Sequence, residues 1–531
     1  MNHIELFAGC GGLSLGLETV GFELLVANEL SPMASETFAY NHLNADLENS
    51  ENIDKVLWIS SEHSRDDLKK RLRENPNNAI GIQKHHYSDL VEMKPSNDDL
   101  KRSLVVGSIV DLNKVLNIKG SSLVKQLKTG LGSGSVDLVS GGPPCQSFSL
   151  AGLRQHTNER NQLPWEFAKF VETVQPKIAM LENVSGILRA FQIEGEKFYA
   201  WFEVAKAFAK VGYVPICLHV NAKYIGTAQN RPRFILLALR KDIYNQFEKN
   251  CTDKKLLAAL KPSKQLFKDI KNGGDPVYGS LPYYDIEKNP EFFESEIFST
   301  LKSYSANEFV SVKDAIDDLR ANAGEESDYV SNINSLYKRH HQHPINKQNN
   351  HAPRSNNNKV KARFRLYQIM SSLPKLASKE ISSFLKNEGT TEVSETTLEE
   401  FKSHWLLDTD GNKVDSPSSK QVLSILVQLY TKKQTQKALI ADAPAPAALS
   451  IPDDACHYYE SMEEQRTLTV REMARIQSFP DWFEIKSKVT TGGKMRRFEV
   501  PQYTQIGNAV PPLLGVALGN VCKKILDVAE S

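Results

Sequence analysis

The chain has 531 residues, enough for roughly two to four domains around a large buried core, which excludes a miniprotein. Lys and Arg total 65 against 64 for Asp and Glu, so a polyanionic partner has to be met by a local cluster of positive charge. Six cysteines at 10, 145, 217, 251, 456 and 522 form no C-x-x-C pair and neither a zinc nor a disulfide spacing, which points to a reduced protein without a metal site. The N-terminus has no basic leader and carries Glu5 among its apolar residues, and no uninterrupted apolar run approaches membrane-spanning length, so a cytoplasmic protein is expected.

The first part of the chain alternates short apolar runs with helical patterns, as parallel strands joined by crossover helices do. Strands are expected at 4–7, 23–29, 103–109, 136–141, 178–183, 216–221 and 233–239, and their apolar density calls for a sheet covered on both faces. Residues 44–102 break this rhythm with mixed charge and a largely helical pattern, so a surface insertion is expected there. The boundaries predicted are a first domain over 1–245, a second domain over 246–502, and a segment 503–531 that returns to the first. Within the second domain, 442–452 is a Pro/Ala linker or long loop, and PPLLGVALGNVCKKIL near the end is a helix. No internal repeat is present.

IELFAGCGGLSLGLETVGFELLVANEL is a strand, a glycine turn, a helix and a second strand that ends on an acid. Gly9, Gly11 and Gly12 remove side chains where the strand must turn into the helix, and they let a ligand approach the backbone. Glu29, twenty residues after Gly9, stands where a carboxylate can accept hydrogen bonds from both ribose hydroxyls. A dinucleotide fingerprint wants glycine at position 14, and this chain has Ser14. That weakens NAD and leaves S-adenosylmethionine, whose adenosine needs the ribose acid but no phosphate cradle; the other reading of the glycines is a tight turn that only packs.

SVDLVSGGPPCQSFS presents Cys145 just past a buried strand, at the edge of the sheet where ligands sit, either as a nucleophile or as a packed thiol. IAMLENVSG places Glu182 at the end of another strand, where desolvation raises a carboxyl pKa and lets the group share a proton. Asn183 is then either part of that site or a cap of the next turn. Arg231 and Arg233, two apart at a strand entrance, share one face, where they either bind an anion or an oxygen-rich ring edge or are solvated.

FAGCGG, GGPPCQSFS, ENV, QNRPRF, RTLTVREMARIQSFPD and QIGNAVPP occur in this order, and with them the chain resembles the DNA (cytosine-5) methyltransferases of the prokaryotic restriction-modification type. The resemblance covers roughly 1–43, 103–240 and 460–520. It implies an α/β fold, a Rossmann-like S-adenosylmethionine-dependent methyltransferase sheet with a smaller, irregular target-recognition domain. It further implies that the Cys145 thiolate adds to carbon 6 of a flipped cytosine while Glu182 holds or protonates ring nitrogen 3. Arg233 binds the 2-oxygen, with Arg231 and Gln229 building the same wall. The segment after Cys145 looks like a closing loop, with Arg154 and Arg160 near phosphates.

For the cofactor, the resemblance implies Phe7 on the adenine, the Gly9–Gly12 backbone at the methionine end, Glu29 on the ribose, and Asn508 returning to complete the pocket with Ser108 and Ile109. Ser108 departs from the family pattern, which usually has an acid for the adenine amino group; either Ser108 or Asp111 takes that contact. Residues 331–379 hold ten basic side chains (Lys338, Arg339, Lys347, Arg354, Lys359, Lys361, Arg363, Arg365, Lys375, Lys379) and no acid. This segment is either a phosphate-contacting surface or a solvated loop. His340, His341, His343 and His351 lack cysteine partners, so no metal is expected there. RTLTVREMARIQSFPD is read as structural, organised by Arg471.

The partner expected is double-stranded DNA, bound by a monomer paired in function with a restriction endonuclease. The tRNA-methylating branch of the family shares PPCQ and ENV but carries a CFT signature that is missing here. A binding protein with a dead pocket would have lost Cys145 or Glu182, and both are present.

Overall fold

Strands that are apolar on both sides must be covered on both sides, and the fold is built around that need. The computed structural model of the chain describes residues 1–49, 51–61, 87–119, 121–144, 162–193, 196–322, 324–341, 343–386, 392–431, 436–447, 455–492 and 499–531. Ten strands form one sheet: β1 (Asn2–Leu6), β2 (Glu23–Glu29), β3 (Val56–Ser61), β4 (Tyr87–Ser88), β5 (Ser103–Val106), β6 (Leu138–Gly141), β7 (Ile178–Val184), β8 (Tyr213–Asn221), β9 (Pro232–Arg240) and β10 (Tyr283–Asp285). Their spatial order is β10-β8-β9-β7-β6-β1-β2-β5-β3-β4. From β7 through β6, β1, β2 and β5 to β3 every neighbour is parallel, while β9 runs antiparallel to both β7 and β8.

This is the doubly covered α/β sheet expected, and seven of its strands stand where the apolar runs place them. Three do not. Val56–Ser61 and Tyr87–Ser88 lie in the stretch expected to be a helical surface insertion, and Val56–Ser61 pairs in parallel with β5. Tyr283–Asp285 joins the sheet through β8, and side chains from Ile243 to Leu301 enter the same core as β1 and β7. Packing of the first core thus continues well past residue 245.

The helices used below are α1 (Gly12–Thr19), α2 (Pro32–Phe38), α3 (Ile109–Leu116), α4 (Asn358–Ser372), α5 (Val470–Ile476), α6 (Gln502–Asn508) and α7 (Pro512–Glu530). α7 begins on a proline, which suits a first helical turn, and buries Leu514, Leu518, Val521 and Ile525 in the first core. The run Gln502–Glu530 is long and apolar enough to cross a membrane, but 67% of its most apolar window is buried inside the protein, as in a core helix. Glycine makes the contact between α1 and α7 possible: a Cβ on Gly16 would stand 2.3 Å from the Pro512 carbonyl oxygen and 2.5 Å from the Val516 nitrogen.

A second core joins Cys10 and Leu15 to residues 312–337, 468–485 and 503–509, and a third, around Phe364, Phe384, Phe401 and Leu426, belongs to the irregular region alone. Six buried charged side chains order the second. Arg475 binds Asp481 with two nitrogens at 2.8 Å and also meets Asp318, while Arg466 binds Glu472 at 2.7 and 2.8 Å. Arg471 donates to the carbonyls of Asn349, Pro480 and Phe483, each at 2.9 Å.

Beneath the glycine turn, Glu5 on β1 is buried and hydrogen-bonded to Ser14 of α1, so Ser14 faces the core. Burial pushes the Glu5 carboxyl up to about 8 from 4.5, against the pull of the Ser14 bonds. A folded pKa above the unfolded one means that the fold holds the proton longer, so this group's contribution falls as pH rises from about 4.5 to about 8. Glu5→Gln keeps the size and the bond to Ser14, and its stability should decline less than that of the parent across this window, as urea unfolding at pH 5 and pH 8 will report.

Candidate active site

Because β5, β2, β1, β6 and β7 are parallel, their C-terminal ends reach one edge of the sheet together. Chain order reverses between β1 and β6, which makes that edge a crevice where ligands of such sheets bind. The residues there are Phe7–Gly12 after β1, Glu29 closing β2, Gly107 and Ser108 after β5, Gly142–Pro144 after β6, and Glu182 near the end of β7. Cys145 follows Pro144 in sequence; with Arg154 and Arg160 it lies outside the described residues.

The turn after β1 is left-handed at Phe7 (φ 55°), Gly9 (φ 56°) and Gly11 (φ 94°). Such a value is unusual at a phenylalanine and holds its half-buried ring beside the crevice. A Cβ on Gly9 would meet nothing within 4 Å, so this residue opens on free space. Gly11 and Gly12 do not. A Cβ on Gly11 would lie 2.4 Å from His42 Nε2, and one on Gly12 would lie 2.2 Å from the Val510 carbonyl oxygen. Of the three glycines assigned to a ligand, two are required by packing.

Glu29 holds this turn. The Gly9 N–H donates to Oε2 and the Ser31 N–H to Oε1, both at 2.7 Å. Burial raises the carboxyl pKa from 4.5, opposed by these backbone bonds. Each carboxylate oxygen has a second acceptor position, so two further donors such as a ribose diol fit the side chain. His42, which nothing in the sequence pattern singled out, braces the turn from behind: Nε2 lies 3.1 Å from the Gly11 carbonyl and Nδ1 lies 3.0 Å from Glu18.

At the other wall, Ser108 accepts the Val110 N–H at 3.1 Å and caps α3, which explains a serine there through helix capping. Asp111 pairs with Lys114 at 2.9 Å, and the Ile109 side chain is buried in the core, leaving only its backbone for a ligand. Asn508 is exposed at the end of α6. Its turn lies against the glycine turn through the Gly12–Val510 contact.

Glu182 is buried and its Oε1 lies 2.6 Å from Arg233 Nε. Its Oε2 lies 2.8 Å from where a Cβ on Gly142 would stand, so Gly142 makes room for the carboxylate. Asn183 donates to the Pro143 carbonyl at 3.0 Å, tying the end of β7 to the Pro-Pro turn that leads into Cys145. It therefore does more than cap the next turn.

Arg231 and Arg233 part company. Burial lowers both guanidinium pKa values, and Glu182 opposes this for each. Arg233 reaches Glu182, whereas Arg231 donates to the carbonyls of Gly507 and Ala509 at 3.0 and 2.9 Å. Arg231 thus clamps the turn that carries Asn508, a correction to its expected place in the base-binding wall. Gln229, expected in the same wall, donates to the Pro446 carbonyl at 3.1 Å. Arg231→Ala would orphan buried carbonyls and should cost about 3 kcal/mol in chemical denaturation.

The basic stretch 331–379 also divides. Arg363 and Arg365 are buried, the latter paired with Glu460 at 2.7 Å and stacked 4.1 Å from the Trp405 ring centre. Lys347 pairs with Asp318, while Lys338, Arg339, Lys359, Lys375 and Lys379 are exposed. His340 reaches Glu18, His343 stacks on Tyr40, and His351 bonds to Thr469 and the Leu319 carbonyl. Among the described residues no group of three or more His, Cys, Asp or Glu side chains is placed to hold a metal.

The class defined by this edge, a glycine turn closed by an acid beside a Glu–Arg pair and a Pro-Pro segment, is matched by what the chain is similar to. The description "C-5 cytosine-specific DNA methylase" matches residues 1–64 and 113–524. The chain belongs to this family of DNA cytosine-5 methyltransferases. The type II methyltransferase M.DdeI of Desulfomicrobium norvegicum is 24% identical over 522 residues, 98% of this chain and 87% of its own length. M1.HphI of Haemophilus parahaemolyticus, also a type II methyltransferase, is 24% identical over 529 residues, 99% of this chain and 87% of its own. Among solved structures, the Dnmt2 methyltransferase of S. pombe is similar over 99% of this chain and 98% of its own, with 13% identity and a TM-score of 0.40. Ser108 and Ile109 fall in 65–112, which the family description leaves unmatched.

Proposed function

We propose that the chain methylates carbon 5 of a cytosine flipped out of a specific duplex DNA sequence, as the modification half of a restriction-modification system in the cytoplasm. The observation that carries this reading is the buried Glu182–Arg233 pair at 2.6 Å, fastened by Asn183 to the Pro143 carbonyl, two residues before Cys145 in the sequence. S-adenosylmethionine, when bound, supplies an electrophilic methyl group. The open face of Gly9 and the spare acceptor positions of Glu29 fit its adenosine, with Phe7 at the adenine and Asn508 nearby.

Carbon 5 of cytosine is too weak a nucleophile to act unaided. The Cys145 thiolate forms a bond to carbon 6, and Glu182 holds a proton at ring nitrogen 3, so electron density moves to carbon 5. Arg233 fixes the Glu182 carboxylate and offers its remaining N–H groups to the 2-oxygen. After methylation, loss of the carbon-5 proton breaks the bond to sulfur and frees the enzyme. Incubation with a 5-fluorocytosine duplex and S-adenosylmethionine should leave a denaturation-resistant adduct on Cys145, because fluorine at carbon 5 cannot leave as the proton does, and Cys145→Ser should lose both the adduct and methyl transfer while keeping DNA affinity. Turnover by that variant would remove the covalent step.

Phosphate contacts are assigned to the exposed part of the basic stretch. Replacing Lys338, Lys359, Lys375 and Lys379 by Ala should reduce the slope of log K against log salt by about 0.9 for each lysine that meets a phosphate. Equilibrium binding across a salt series measures this.

A further inference from the structure

Three side chains from three separate segments form a hydrogen-bonded chain at the catalytic edge, and the motifs above account for none of them. Ser185 Oγ lies 2.8 Å from His219 Nε2, and His219 Nδ1 lies 2.8 Å from Asp285 Oδ2. A carboxylate only accepts, so Nδ1 carries a proton, and in the neutral ring Nε2 accepts the serine hydroxyl. Asp285 is itself anchored, since its Oδ1 accepts the backbone N–H groups of Glu287 at 2.9 Å and Lys288 at 3.1 Å. Burial works against its charge, yet these bonds and His219 hold its pKa below the usual range.

The placement gives this chain of bonds a purpose. Ser185 is the first residue past β7 and stands three positions after Glu182; His219 is on β8 and Asp285 on β10. In the sheet β9 lies between β7 and β8, so the Ser185–His219 bond spans the start of β9, where Arg233 pairs in register with both Val184 and Val220. His219 is in register with Phe234 and therefore lies on the face opposite Arg233, outside the pocket.

We infer that Ser185, His219 and Asp285 are positioning residues: a strap that fastens β7, β8 and β10 across β9 and so fixes the Glu182–Arg233 pair for proton handling at the cytosine. This rests on the role proposed above for Glu182. A small displacement of an acid–base group penalises the chemical step and leaves ground-state binding alone.

The test is single-turnover methylation of duplex DNA by the full chain. Ser185→Ala should slow methyl transfer about tenfold while the KM values for DNA and S-adenosylmethionine stay within about twofold, and Ser185→Thr, which restores a hydroxyl, should recover most of the rate. An unchanged rate in Ser185→Ala, or a threonine variant as slow as the alanine one, overturns the strap. A Ser–His–Asp chain has the composition of an acyl-transfer triad, so covalent labelling of Ser185 by a fluorophosphonate also overturns it. Wild-type protein and Glu182→Gln are run beside these variants. A wild type without activity, or a fully active Glu182→Gln, strikes the proposed function; a dead Glu182→Gln beside a fully active Ser185→Ala strikes the strap alone.

Discussion

Parallel pairing of the central strands is the constraint on which everything else depends. A parallel strand exits at the same edge as its neighbour, so each turn that follows β1, β2, β5, β6 and β7 opens into one crevice. Residues separated by up to 175 positions, from Phe7 to Glu182, are brought to one edge by topology alone. The reversed strand β9 then contributes what a parallel strand at that position could not: it enters from the catalytic edge, so its first residues, Arg233 among them, lie beside the last residues of β7.

Around this edge, charge is buried wherever two parts of the molecule must keep a fixed relation. Arg231 binds the turn that carries Asn508, the Arg475–Asp318 and Asp481–Asn334 bonds lock 468–485 onto 312–337, and Glu18 gathers His42, Arg102 and His340. Burying charges costs desolvation free energy, which is repaid only when geometry and bonding are nearly complete. Such pairs therefore specify one docking arrangement more than they add stability. They also explain why a basic segment is a poor guide to a DNA-binding surface: Arg363 and Arg365 look like phosphate ligands in the sequence and are structural in the fold.

What could be read from sequence was whatever depends on local pattern. Apolar runs marked seven of the ten strands, and the Glu29 spacing placed an acid at the tip of β2, because a strand tip and a turn are properties of a few adjacent residues. Partners fixed by distant chain segments were not readable. Nothing near Arg231 says that its guanidinium will find Gly507 and Ala509, and nothing near His42 announces Gly11 and Glu18. Gly11 and Gly12 fit the expected motif, but a glycine needed for a ligand and one needed for a neighbouring backbone are spelled alike. Short strands such as Tyr283–Asp285, surrounded by Pro, Lys and Asn, carry too little periodicity to stand out.

The close seating of α1 against α7 bears on how the protein is made. The surface that covers Gly16 and Leu17 of α1 belongs to residues beyond 511, so it leaves the ribosome about half a thousand residues after α1 does. Until then the nascent sheet keeps an uncovered apolar side, and joining segments so remote in sequence is slow. Removal of α7 would therefore leave that apolar side open to association with other chains.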